Sequence, residues 1–423
     1  MSGVASPHLA LRALFAAFDE FGVTWCVLRG EGNLDRYTDD VDLLVAPAEL
    51  DAASTALSRL GYVQLASWGR GSHRFFLTYA QDADAWVKVD IVTSLDFGPH
   101  GVMRTGTAHS CLARRQRIDG VPVLAADDRF WSLLLHCILD RMEIPPHYGE
   151  VLRTLESSAE EGSPLADWFM AHLPKGWAVQ RVQEAVRNGQ WPSLVEAGRL
   201  MRSGRRWMSP NTLALRASRG VVRRMTKLRT LALEPGITVA LMGPDGAGKS
   251  TLAGRLATTF FFPVRSVYMG LYGTGSPGGT APRGLAGRML RLWSGYARGM
   301  VHRRRGRLVV YDRFGYDALL RPAGSDADPR KKFRRWLLSH AVPSPDLVVL
   351  LDAPATSLHA RKQEQPPDEL EAQRRAYLDF AARQTNVHVV QADRSADAVR
   401  REVTGLIFAC YSARRRRSAA DRG

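Results

Sequence analysis

A chain of 423 residues is long enough for two or three domains, each with its own core. Apolar residues at 45% and charged residues at 24% match a soluble globular protein, and no apolar run reaches the ~18 residues of a membrane-spanning helix, which sets aside a helical membrane protein. The net charge of +16 invites a nucleic-acid reading, but only 7 of the 58 basic residues are lysine, the arginines are spread through every region and nothing resembling an RNA- or DNA-binding module accompanies them, so nucleic acid is not the expected partner. The four cysteines (Cys26, Cys111, Cys137, Cys410) show no C-x-x-C spacing, which predicts reduced thiols in a cytoplasmic protein and argues against zinc.

The chain opens on an amphipathic segment carrying Asp19 and Glu20, a helix and not a signal peptide. A strand (TWCVLRG) and DDVDLLV follow, then a helix (PAELDAASTALSRLGY) and strands near 62–67, 73–79 and 85–92. In DDVDLLV, Asp40 and Asp42 stand at i, i+2, so strand alternation puts both carboxylates on one face. Asp90 in AWVKVDIVT supplies a third. Three carboxylates on adjacent strands suit two divalent metals that activate a hydroxyl and stabilise leaving pyrophosphate. In these residues the segment 1–95 resembles the polymerase-β-type nucleotidyltransferases. Their usual Gly-Ser is replaced by Gly30-Glu31, with Arg29 as a candidate substitute for the missing serine.

Residues 96–200 read as mostly helical; His136 and Cys137, on an apolar helix, read as core. A basic linker is expected over 201–235, where 202–229 holds nine Arg or Lys and no acid. Further basic clusters are HRRRGR at 302–307 and RRRR at 414–417, the latter in a basic tail over 411–423.

From 236 to 410 apolar runs at 237–242, 264–269, 307–312, 346–351 and 387–391 alternate with helical stretches, the rhythm of a parallel sheet covered on both faces. Ligands in such sheets bind at the carboxyl ends of the strands. There, directly after ITVALM, stands GPDGAGKST: Gly243, Asp245, Gly246, Ala247, Gly248, Lys249, Ser250 and Thr251 in the spacing of a P-loop. Its glycines let backbone N–H groups wrap a phosphate, Lys249 reaches the β- and γ-phosphates, and Ser250 supplies a hydroxyl to Mg²⁺. ATP and Mg²⁺ are therefore the expected cofactors.

With YDRFGYD at 311–317, this half resembles the thymidylate kinase-like P-loop nucleotide kinases. The resemblance implies that Asp312 organises Mg²⁺ and the acceptor, that Arg313 binds the acceptor phosphate and that Asp245 contacts the acceptor sugar. It also implies that Arg361, after LDAPA, neutralises charge from a lid; Lys362, Arg374 and Arg375 are further lid candidates around QEQPPDE. The family's acceptor-binding R-E-P-G-G-T reads GSPGGT at 275–280, which puts thymidylate itself in question. Tyr268, Tyr272, Phe314 and Tyr316 are candidates to stack on an acceptor ring or to serve as packing.

The expected fold is thus α/β: a C-terminal P-loop kinase on a five-stranded parallel sheet, preceded by an α+β nucleotidyltransferase-like domain and a helical segment. The expected activity is Mg-ATP-dependent phosphoryl transfer to a nucleoside monophosphate or related phosphorylated metabolite. Two rivals stand beside it: nucleotidyl transfer from the N-terminal aspartates with a regulatory P-loop half, and a non-enzymatic, nucleotide-gated polyanion binder. A homodimer is held open.

Overall fold

Near-continuous apolar runs are what a strand buried on both faces requires, and three such runs form the centre of the C-terminal sheet, β10 (Thr238–Met242), β12 (Leu308–Asp312) and β13 (Leu347–Asp352), flanked by two partly exposed edge strands, β11 (Val264–Tyr268) and β14 (Val387–Gln391); the numbering follows the nine N-terminal strands below. In this computed structural model, which describes residues 5–37, 40–65, 71–159, 162–173, 176–204, 235–270, 284–320, 329–363 and 365–420, the chain divides into two compact units, 1–228 and 229–423. The stretch 205–234, GSPGGT at 275–280 and Tyr272 lie outside the described residues.

In the C-terminal unit the order is β11-β12-β10-β13-β14, every pairing parallel, as the apolar pattern predicts. The buried face of Ala240, Val309, Tyr311, Val348 and Leu350 packs against Leu292, Leu338 and Tyr377 from flanking helices. The order places β10 at the centre, so the loop after it is flanked by the carboxyl ends of β12 and β13. Opposite that end, Asp346 fastens the unit together. Its carboxylate accepts from Thr238 N and Oγ1 (both 2.8 Å) and from Arg303 (2.9 Å), and pairs with Arg414 at 2.7 Å. Arg414 lies in a helix running unbroken over Ala396–Ala420, so the first ten residues of the expected 411–423 tail continue this helix.

The N-terminal unit holds a seven-stranded mixed sheet. Its strands are β1 (Trp25–Arg29), β2 (Val41–Val45), β3 (Val63–Gln64), β4 (His73–Ala80), β5 (Ala85–Val92), β8 (Gln116–Ile118) and β9 (Val121–Val123), in the order β3-β4-β5-β2-β1-β9-β8. A separate ribbon pairs β6 (Asp96–Phe97) with β7 (Met103–Arg104). The sheet crosses the division expected at residue 95, because β9 pairs in parallel with β1. The β8–β9 hairpin interrupts what reads as a helical region. Its turn is Asp119-Gly120, both at positive φ (50° and 80°), the Asp-Gly signal of a two-residue hairpin. Beyond it, helices between Ala126 and Ser203 pack around Trp131, Phe169 and Cys137, the last fully buried as expected.

Candidate functional site

The loop 243–248 is shaped by glycines that no other residue replaces. Gly243 has φ 140°, and a Cβ there would lie 2.5 Å from the Leu351 carbonyl oxygen. Gly248 takes φ 92° as the cap of the helix Lys249–Thr259, with open space where a side chain would project. The loop therefore closes against β13 on one side and leaves backbone exposed at a helix N-terminus on the other, the arrangement that receives an anion.

Lys249 is buried, 8% exposed, and its Nζ donates to the carbonyls of Gly243 (2.7 Å) and Pro244 (2.8 Å). Burial pushes its pKa below the ordinary lysine value, while Asp245 at 3.7 Å works in the opposite direction. From the adjacent strand end comes Arg313, whose Nη2 donates to Asp245 Oδ1 at 2.7 Å. Arg313 adopts φ 67°, a left-handed conformation costly for a residue with a Cβ, at the point where the chain leaves β12.

A cleft of about 650 Å³ opens over this loop. It is lined by residues 245–251, by Asp312 and Arg313 from the end of β12, by Tyr268 from the end of β11, and by Arg361 and Lys362. The segment after β14 completes the wall through Ala392 and Arg394. Six cations (Lys249, Arg255, Arg313, Arg361, Lys362, Arg394) and two acids (Asp245, Asp312) line the cleft; Arg255 is ion-paired with Asp397 and Arg394 with Glu402, which leaves a modest positive excess suited to a polyanion. Ser250 at the helix start and Asp312 at the strand end supply hard oxygen donors to the same cleft, the donor type that Mg²⁺ takes.

The expected cluster thus comes together for Asp245, Gly246, Ala247, Gly248, Lys249, Ser250, Thr251, Asp312, Arg313 and Arg361, with Gly243 at the root of the loop. Arg374 differs. Its guanidinium forks onto the buried Asp352 at 2.7 and 3.0 Å, so it ties a helix to the end of β13 and is not placed as a lid cation. Of the aromatic candidates, Tyr268 lines the cleft, whereas Phe314 is fully buried and the Tyr316 hydroxyl is spent on Ser344 at 2.7 Å, which makes both packing residues.

Three residues beside the loop were not among the sequence candidates. Arg255 and Arg394 join the wall from the first helix and from the segment after β14. Asp317, in the short turn Gly315–Ala318, accepts from the Tyr377 hydroxyl at 3.1 Å. Burial pushes its carboxyl pKa up while Arg313 and Lys249 pull it down. Arg394 follows the end of β14, where the strand-end rule places ligands, and Asp317 closes the motif YDRFGYD, in which it carried no assigned role.

The three N-terminal aspartates lie on and beside neighbouring strands. Asp42 and Asp90 are register partners on the parallel pair β2–β5. Each is nevertheless met by a basic side chain: Arg29 donates twice to Asp42 Oδ2 (2.9 and 2.7 Å), and His73 Nδ1 lies 2.7 Å from Asp90 Oδ2. Asp40 stands just before β2 and is bonded to Lys88. Among the described residues no three His, Cys, Asp or Glu side chains gather as a metal site. Neighbouring strands thus bring a basic group to every carboxylate of the expected triad.

No model of a known protein family matches the sequence. Among curated proteins, the thymidylate kinase of Xanthomonas euvesicatoria pv. vesicatoria is 30% identical over 205 residues, covering 44% of this chain and 89% of that protein. The thymidylate kinase of Xanthomonas campestris pv. campestris is 30% identical over 207 residues, covering 44% and 90%. Among solved structures, a thymidylate kinase from Candida albicans aligns at a TM-score of 0.33 and 17% identity over 41% of this chain and 91% of its own.

Proposed function

Because the chain belongs to the thymidylate kinase family over 44% of its length, we propose that its C-terminal unit transfers the γ-phosphoryl group of ATP to a nucleoside monophosphate or a related phosphorylated metabolite. The observation that carries this reading is the meeting of Lys249, Ser250, Asp312 and Arg313 on one cleft. Phosphoryl transfer asks little covalent chemistry of a protein; alignment and charge neutralisation do most of the work.

In this scheme the loop N–H groups cradle the triphosphate, and Lys249 turns its ammonium from the loop carbonyls to the β- and γ-phosphates. Arg313 grips the acceptor phosphate from the opposite wall; a guanidinium fork suits that task. Asp245, between the two, orients Arg313 and faces the acceptor. Arg361, exposed at the end of the helix Ala355–Arg361, neutralises charge on the phosphoryl group in flight. Ser250 and Asp312 would hold Mg²⁺, which supplies charge neutralisation on the phosphate oxygens when bound. The altered 275–280 segment favours an acceptor other than thymidylate.

The test is a screen of nucleoside monophosphates and sugar phosphates for acceptor-dependent ADP release by the wild type and Lys249→Ala. Turnover should fall about a hundredfold or more in the variant with its circular dichroism unchanged; equal turnover would overturn the assignment. A second reading, nucleotidyl transfer by the N-terminal unit, is favoured by one observation, the Asp42–Asp90 register pair. Running the screen with α- and γ-labelled ATP separates the two, since only nucleotidyl transfer moves the α-label onto product.

A further inference from the structure

Two helices of the C-terminal unit, Gly284–Arg304 and Pro329–Ser339, touch one another and contain ten Arg or Lys and not one Asp or Glu. Both also leave large apolar side chains in water. On the first, Leu290 is 72%, Trp293 47% and Val301 49% exposed; on the second, Phe333 is 61% and Trp336 51% exposed. These positions do none of the work of the cleft. The second helix is anchored from its far end, where Leu338 and Ser339 are buried. Its outward part sets Lys331, Lys332 and Arg334, all exposed, around an aromatic platform: Phe333 and Trp336 stack at 6.0 Å and 21°, and His340 extends the stack from Trp336 at 4.9 Å.

Exposed aromatics framed by cations, on helices that themselves hold no acid, form a surface whose complement is both apolar and anionic. An anionic phospholipid membrane offers that pair: headgroup charge for the cations and an interfacial layer for tryptophan, phenylalanine and leucine. A second copy of the chain fits poorly, because a two-fold contact through Pro329–Ser339 would set its five cations against the same five. A nucleic acid would match the charge and stack on rings, but gives no apolar layer to Leu290 and Val301. We propose that this two-helix face docks the protein peripherally onto anionic lipid membranes. No helix among the described residues is long and apolar enough to cross one, so the contact is with the surface.

The experiment is co-sedimentation of the full chain with phosphatidylcholine vesicles prepared with and without phosphatidylglycerol, at low and high salt. Binding should require the anionic lipid and weaken with salt. The pair Phe333→Ser, Trp336→Ser and the triple Lys331→Glu, Lys332→Glu, Arg334→Glu should each lower partitioning about tenfold or more. None of these residues lines the cleft, so ATP affinity and circular dichroism should stay at wild-type values, which separates this proposal from the kinase assignment. Equal partitioning of wild type and both variants overturns the proposal. So does a failure to bind anionic vesicles at low salt; duplex DNA binding, or a concentration-dependent dimer that these substitutions abolish, would then assign the face to nucleic acid or to self-association.

Discussion

Asp245 Oδ1 sits 2.7 Å from Arg313 Nη2 and 3.7 Å from Lys249 Nζ, so one carboxylate oxygen faces the two cations assigned to two different anions. A negative charge in a phosphate-binding loop opposes the ligand unless it does something specific. Here it holds Arg313, whose backbone is already in the left-handed region, on the side of the cleft where an acceptor would enter.

Asp245→Asn should therefore separate the two substrates. Lys249 keeps its bonds to two loop carbonyls, so ATP affinity should change less than about threefold. Arg313 loses a charge-assisted partner, so kcat/KM for the acceptor should fall about tenfold or more. Steady-state kinetics with each substrate varied in turn measures both, and equal losses for both would show that Asp245 does not discriminate between them.

Arg374→Ala should act on stability before catalysis. Asp352 is 2% exposed and would be left as a buried charge without its fork, a loss of about 3–5 kcal/mol. Urea unfolding of the C-terminal unit should move by that amount. A variant as stable as wild type but slow in phosphoryl transfer would instead restore Arg374 to the lid.

The N-terminal unit carries its own pH dependence in Asp128, which is fully buried in the helix Ala126–Leu135. Burial, with Asp127 beside it, pushes its pKa up from 3.8 to about 6, against the pull of Arg114. The folded state therefore binds a proton the unfolded chain has released between those values. The associated stability is present in full below pH 3.8 and is lost as pH rises through 6, an effect of about 3 kcal/mol. Asp128→Asn should remove that slope, so the variant gains on wild type from pH 4 to about pH 6 and holds a level advantage above it in thermal unfolding. A constant difference across the range would rule out Asp128 as the source.

The C-terminal fold was legible because its information is local. Each strand buried on both faces announces itself as an unbroken apolar run, and the phosphate loop needs glycines at fixed spacing. What could not be read is partnership across the sheet. Alternation puts Asp40 and Asp42 on one face but is silent about Lys88 and Arg29, which neighbouring strands bring to them. Likewise Arg374 looks like a lid cation in sequence, and only the closeness of its helix to β13 commits it to Asp352. The hairpin at 116–123 was missed for another reason: its three-residue strands are too short for periodicity, although Asp119-Gly120 carried the turn signal.

The Asp346 junction bears on how this protein can be cut. A fragment ending at 410, the boundary the sequence pattern suggests, would discard Arg414 and strip one of two guanidinium partners from a carboxylate that also fastens Thr238 at the start of the central strand. Arg414, the first arginine of the last run, is thus part of the C-terminal unit's framework, and a truncation that leaves this junction intact has to keep it.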